Sequence, residues 1–422
     1  MEQQEQLWAN RAASAETAIR NRHIRKLWGL ASTQLGVVAW PPTASDRRFT
    51  TWHYWWQAHL LDTMVDAQLR DPTSIRKRQI NNQIRAHRIR NAGKWTNDYY
   101  DDMAWLGLAI ERSGRLAGVA RPAVLKTLDE QFLRAWVPED GGGIPWRKTD
   151  QYFNAPANGP AGIFLARTGR LRRAEQMADW IDDTLIDPQT HLVLDGIKAG
   201  SLDRALYTYC QGVVLGLETE LAVRTGHDRH RTRVHRLVQA ISEHMAPGGV
   251  LTGDGGGDGG LFGAITARYL ALVATDLPGD SADDQQARDS ARTLVLTSAQ
   301  SAWDYRQSID GLPLFGPFWD SAARVPGVPD EVDKPVLRGS AEDKKLGHQV
   351  HNVHGADVEA QAEAVEQAED EAAQKSQQAP AGEPDPALTR EQDALAVPER
   401  DLSVQVGGWM LMEAAYALTS AQ

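Results

Sequence analysis

The feature that most constrains this chain is a helical rhythm that recurs in pairs. Apolar residues return at three- and four-residue intervals through most of the sequence before residue 325, as at Trp55, Leu60, Leu61, Met64, Val65 and Leu69. That is the period of an α-helix burying one face. Stretches rich in Gly, Pro and Asn interrupt it: PEDGGG at 138–143, APANGP at 155–160 and a glycine run at 253–260. The breaks define five helix pairs: 50–69 with 74–90, 100–114 with 121–136, 157–168 with 171–185, 205–225 with 228–245, and 260–275 with 282–306. An N-terminal helix at about 5–30 and a C-terminal helix at 403–420 bring the number to twelve. Strand-like alternation is scarce. Twelve antiparallel helices in sequence order predict an all-α (α/α)6 barrel, a toroid in which every inner helix has two neighbours.

One stretch breaks the rhythm. The charge of the 422-residue chain is −11, but between Asp330 and Arg400 stand 17 Asp and Glu against 7 Lys and Arg, so this segment accounts for nearly all of it. Its sequence, EAQAEAVEQAEDEAAQKSQQAPAGEPDP, offers almost no large apolar residue to bury and predicts a disordered, low-complexity acidic insert over 326–401. Because the apolar MLMEAAYAL follows, the chain must return to its core, so the insert is a loop within one catalytic domain of 1–325 plus 402–422. The single cysteine, Cys210, excludes an internal disulfide. The first thirty residues are charged throughout and lack the apolar run of a signal peptide. As written the chain is read as cytoplasmic, with secretion by another route or start site left open. No stretch is long and apolar enough for a membrane span.

The chemistry concentrates around NDYYDDMAWLGLAIER. Asp101 and Asp102 fall at the first turn of a helix, where the dipole favours negative charge and where two successive side chains can both face a cleft. Capping alone would need one aspartate. Two close carboxylates push their titrations apart, giving one protonated and one ionised group, as glycoside hydrolysis requires. Trp52, Trp55, Trp56, Trp95, Tyr99, Tyr100, Trp105 and Trp146 lie within a hundred residues, a density suited to filling a core and to lining a sugar groove. Asn154 and Asn158 in FNAPANGP, Tyr209 and Gln211 in YTYCQG, and Asp258 in GDGGLFG also open helices, and in a toroid such starts meet at one face.

Other motifs carry less. His348, His351 and His354 have helical ligand spacing but fall in the acidic insert. The basic run from Arg70 to Lys94 reads as a solvated helix face with partial salt bridges. GDGGGDGG lacks the Lys-Ser or Lys-Thr of a phosphate loop. Cys210 reads as a small buried residue. Neither nucleic acid, nor a cofactor, nor a metal is called for.

With these residues in hand, the chain resembles glycoside hydrolase family 76, the α-1,6-mannanase family. The matching blocks are YWWQAHLLDTMVDA, NDYYDDMAWLGLAIER, GGGIPW, FNAPANGPAGIFLAR, LVLDGI, YTYCQG, GDGGLFGAITARYL and GGWMLMEAAYAL, in order. The resemblance implies an (α/α)6 barrel and endo-acting, retaining hydrolysis of α-1,6-linked mannan. The substrate is accordingly read as a mannan or a mannose-rich lipoglycan backbone, and the chain as a monomer. It makes Asp101 the nucleophile and Asp102 the general acid and base. Substrate contacts would come from Trp55, Tyr100, Trp146, Asn154, Asn158, Asp195, Tyr209, Gln211, Asp258 and Phe262. Cys210 stands where many members carry Asn. A transglycosylase acting through the same intermediate, and a glycan-binding toroid without catalysis, are the alternatives.

Overall fold

The computed structural model describes residues 2–137, 142–326 and 397–420. Residues 327–396 of the acidic insert, with the three histidines at 348, 351 and 354, lie outside the described residues, as does most of PEDGGG. The end of the insert differs from the expectation of disorder: Pro398–Arg400 forms a turn that buries Glu399 and Arg400. No helix among the described residues is long and apolar enough to cross a membrane.

Six helices form an inner ring: α3 (Tyr54–Arg70), α5 (Tyr100–Arg115), α7 (Ala155–Arg167), α9 (Thr208–Thr225), α11 (Gly259–Asp276) and α13 (Leu402–Ser420). Each packs on the next, and α13 packs on α3, which closes the ring. Around them run α1 (Glu2–Arg22), α4 (Ser74–Arg90), α6 (Pro122–Ala135), α8 (Leu171–Thr184), α10 (Asp228–His244) and α12 (Ala282–Asp304), each against its sequence neighbour or, for α1, against α13. One further helix, α2 (Ala44–Arg47), is a single turn closed by a Thr43–Asp46 capping box. The arrangement is the (α/α)6 barrel that the periodicity predicts.

The two rings differ in sequence for a physical reason. An outer helix buries one stripe, as α8 does with Ala174, Met177, Ala178 and Ile181, the spacing of one helical face. An inner helix touches two inner neighbours and an outer one, so every residue of α7 but the last is buried. Glycine permits the closest inner contacts. A Cβ on Gly212 would stand 2.7 Å from the Thr266 Cα, and one on Gly407 would stand 2.3 Å from the Gly260 carbonyl oxygen.

Two expectations change. The N-terminal helix stops at Arg22, well short of residue 30, because the chain turns there into a two-residue antiparallel ladder, β1 (Ile24–Arg25) with β2 (Leu35–Gly36). His23 fixes the turn by donating from Nδ1 to the Val37 carbonyl, 2.9 Å away. Strands are also present between helices. β3 (Tyr152–Asn154), β4 (Gly196–Lys198) and β5 (Ser201–Asp203) form one antiparallel sheet, and β6 (Gln307–Ile309) with β7 (Leu312–Leu314) another.

Candidate active site

All six inner helices begin at the same mouth of the barrel, so their positive dipole ends converge where the sequence places its carboxylates. Asp101 and Asp102 occupy the first turn of α5, the former at the surface of the cleft and the latter beneath it, 1% exposed. Separate donors orient them. Trp146 Nε1 donates to Asp101 Oδ2 at 2.9 Å, and the Asp102 backbone N–H donates to Asp101 Oδ1 at 2.8 Å. Asn97 Nδ2 donates to Asp102 Oδ2 at 2.5 Å. Asn97 is fixed in turn, its Oδ1 accepting the Tyr99 N–H at 3.1 Å. Sequence reasoning missed Asn97, and its only signal was a polar residue buried just before a helix start.

Trp146 stands where it does because three partners, Tyr152, Tyr100 and Asn158, hold its loop. Its N–H donates to the Tyr152 carbonyl at 2.7 Å and its carbonyl accepts the Tyr100 N–H at 2.8 Å. The third contact comes from Asn158. Its Oδ1 accepts the Ile144 N–H at 2.8 Å, while Nδ2 donates to the Ile144 carbonyl and the Asn154 carbonyl, both at 2.9 Å. Tyr100 itself is half-buried beside the pair.

The same clamp recurs around the ring. On α9, Gln211 accepts the Val193 N–H at 2.7 Å and donates to the Val193 and Tyr207 carbonyls at 2.9 and 3.0 Å. On α3, Gln57 treats Gly36 likewise and also donates to Trp52. On α13, Gln405 accepts from Phe315 N and donates to the carbonyls of Phe315 and Glu399. Each amide replaces a strand partner for one loop residue and satisfies buried backbone groups that would otherwise be costly. Asn158 and Gln211 are fully buried and spend their amides on backbone, so they position loops. Asn154 caps α7, accepting the Ala157 N–H at 3.1 Å.

The remaining candidates divide into two groups around the cleft. Asp195 precedes β4 and faces Asp101. It accepts hydrogen bonds from the Tyr152 hydroxyl and, at 3.5 Å, from Cys210 Sγ. Burial pushes its carboxyl up to about 6 despite the Tyr152 hydrogen bond, and the charges of Asp203 and Asp101 push the same way. Cys210 is buried, as expected, and its thiol serves as a weak donor to Asp195. Tyr152 was missed by the sequence, since a tyrosine in a three-residue strand carries no pattern.

On the other side, Trp55 and Trp56 donate their indole N–H groups to Asp258 Oδ1 at 3.2 and 2.8 Å. Phe262 stacks on Tyr209 with centroids 3.8 Å apart and planes 12° apart, and lies 6.3 Å from Trp55. Tyr207 closes edge-on at 5.6 Å. These rings form an apolar wall of the kind that stacks on sugar faces. Below them His59 is buried between Trp55 and Trp105, and burial lowers its imidazole to about 3. A histidine so held is neutral.

No curated protein matches the chain in sequence. In fold it is similar to the GH76A α-1,6-mannanase from Salegentibacter sp. HEL1_6, at 24% identity and TM-score 0.71, covering 97% of this chain and 99% of that one. An inactive variant of that enzyme, with two successive aspartates changed to asparagine, in complex with α-1,6-mannotriose, matches at 23% identity and TM-score 0.71 over 97% and 99% of the two chains. A protein from Listeria innocua matches at 20% identity and TM-score 0.70, with 98% of each chain covered. At these identities the likeness establishes the barrel. The sequence profile of Glycosyl hydrolase family 76 matches residues 11–325, and the chain accordingly belongs to that family of glycoside hydrolases.

Proposed function

We propose that the chain is a retaining, endo-acting hydrolase of α-1,6-mannosidic linkages in a mannan or lipoglycan backbone. The observation that carries the reading is the Asp101–Asp102 pair, two adjacent carboxylates at one helix head, each oriented by its own neutral donor beside an aromatic wall. The Salegentibacter relative supports it, because replacing two successive aspartates there gives an inactive protein complexed with an α-1,6-mannotriose.

In this mechanism Asp102 protonates the glycosidic oxygen while Asp101 attacks the anomeric carbon, forming a glycosyl ester. Asp102 then takes a proton from water, which displaces Asp101 and restores the sugar with its original configuration. Asp101 suits the attacking role, since two N–H donors align it from one side. Asp195, whose carboxyl burial pushes up to about 6, and Asp258 offer acceptors for mannose hydroxyls, and Trp55, Tyr100, Trp146, Tyr209 and Phe262 offer faces for the rings. No cofactor enters any step.

Digestion of linear α-1,6-mannan with anomer-resolved NMR tests substrate, cleavage mode and stereochemistry together. The α-anomer should appear first, with oligosaccharides before mannose. First formation of the β-anomer would overturn retention, and longer products at high oligosaccharide concentration would favour transfer to sugar over water.

A further inference from the structure

At the opposite end of the barrel from the aspartates, three potential ligands meet between α8 and α10. Glu175 lies in the first turns of α8, His227 immediately precedes α10, and His230 lies in its first turn. One ligand atom from each falls within 4.8 Å of the other two. The decisive group is His230, whose side chain is 0% exposed. Its Nδ1 meets Glu218 Oε2 at 2.5 Å. Arg233 Nη1 lies 3.2 Å from the other Glu218 oxygen. A carboxylate at Nδ1 keeps the proton there and leaves the lone pair on Nε2.

That Nε2 is buried without a hydrogen-bond partner. It faces Glu175 Oε1 at 3.6 Å. Together the two atoms present an electron-rich pair to a cation, with His230 buried and Glu175 partly exposed. We propose that His230 Nε2, His227 Nδ1 and Glu175 bind a divalent transition metal of the zinc class, with water as fourth ligand. Two imidazoles and one carboxylate are a zinc donor set, and ligand atoms around tetrahedral zinc lie about 3.4 Å apart, close to the His230–Glu175 separation. His227 Nδ1 is 2.9 Å from Glu175 Oε1. Its ring is more than half exposed and can swing outward to admit the ion. Arg229, 2.8 Å from the same Glu175 oxygen, occupies part of the ion's place and would turn to solvent, where its side chain already lies half exposed. Glu218 is the positioning residue, since it sets the ring and its tautomer without touching the metal.

The test is zinc titration of the full chain after dialysis against a chelator, read by calorimetry and by metal content. One zinc per chain is expected, with a Tm rise of roughly 3 °C at a hundredfold excess over Kd. His227→Ala, at an exposed position, should weaken binding at least tenfold with the fold intact. Glu218→Gln, with all three ligands present, should weaken it by about 10- to 100-fold. Joint replacement of His348, His351 and His354 by Ala should leave binding and stoichiometry unchanged. The proposal fails if zinc does not bind below millimolar concentration, if His227→Ala binds as the wild type does, or if the triple replacement abolishes binding. It fails equally if NMR shows His230 doubly protonated at neutral pH, because a proton then supplies the missing positive charge.

Discussion

The two mouths of the barrel are built from the same residue types and use them in opposite ways. At the far mouth, where the inner helices end, carboxylates are locked to arginines. Asp62 and Asp66 on α3 bind both Arg112 of α5 and Arg268 of α11, with Asp66 2.5 and 2.6 Å from the two guanidiniums. Arg167 of α7 meets Glu220 of α9 at 2.6 Å, and Arg70 of α3 meets Glu413 of α13 at 3.1 Å. The network links all six inner helices around a cavity of about 160 Å³. At the near mouth the carboxylates are held by neutral groups: indole N–H at Asp101 and Asp258, an amide at Asp102, a phenol and a thiol at Asp195. Two arginines bring the Asp62 carboxyl down to about 2, whereas burial pushes Asp195, held by neutral donors, up to about 6. The far mouth is therefore a buckle, with the buried Glu413, pushed up to about 7, as its exception.

This contrast breaks most sharply at its two centres. Asp101→Asn and Asp102→Asn should each lower kcat/KM on α-1,6-mannan by about 1,000-fold or more, with the Tm close to that of the wild type. Activity within tenfold of wild type in both would remove the near mouth from the chemistry. At the far mouth Arg112→Leu leaves Asp62 and Asp66 with Arg268 alone in a largely buried place, and the expected cost is about 3 kcal/mol of stability in urea unfolding, the low end for a broken buried pair. Below the denaturation range the folded enzyme should keep its kcat. A loss of kcat without loss of stability would show that the two mouths are not separable.

The loop clamps test the connection between structure and site more finely. Asn158→Ala leaves the Ile144 N–H and carbonyl buried and unmatched, with an expected cost of about 2 kcal/mol. Because the clamp positions Trp146, kcat/KM should fall as well. Trp146→Phe removes one N–H from Asp101 and keeps the ring, so roughly a tenfold loss in kcat/KM with little change in stability is expected. If Asn158→Ala cost stability while leaving kinetics untouched, the loop would hold Trp146 without it.

The barrel was legible in the sequence because inner helices are apolar on all sides and outer ones on a single stripe, so the alternation shows in the residue pattern itself. Asp101 and Asp102 were legible because their place at a helix head follows from that same pattern. The roles of Asn158 and Gln211 were not. An amide binds a sugar hydroxyl and a backbone peptide with the same atoms, and the partner, Ile144 or Val193, is a loop residue that only the folded chain brings near. Strands β3, β4 and β5 span three residues each, too few for alternation to register, so the sheet that sets Asp195 beside Tyr152 was invisible. The basic run from Arg70 was read as a solvated face, yet Arg70 and Arg76 turn inward to share Glu16. Their partner stands more than fifty positions away, on α1.

The smallest effect is also the cleanest contrast between the mouths, because its sign differs. Burial raises the Asp195 carboxyl to about 6 against an ordinary value of 3.8. The native state must then hold this carboxylate charged above pH 6 at a cost that the unfolded chain escapes. As pH falls from 7 toward 4 the native group takes up its proton first, and that cost disappears. Asp62 is the reverse. Burial opposes its charge too, but Arg112 and Arg268 outweigh burial and bring it to about 2, so its stabilisation persists down to pH 3.8 and is lost only as pH falls through 2. Asp401, at about 6, and Glu413, at about 7, are raised by burial and titrate in the same window as Asp195. They are present in wild type and variants alike, so a difference between proteins isolates the group replaced. The Tm of Asp195→Asn relative to wild type should decline steadily from pH 7 to pH 4, while that of Asp62→Asn stays level across the same range. A level difference for Asp195→Asn would mean that its carboxylate is already stabilised at neutrality, and the division between a locked mouth and a titrating one would not hold at that position.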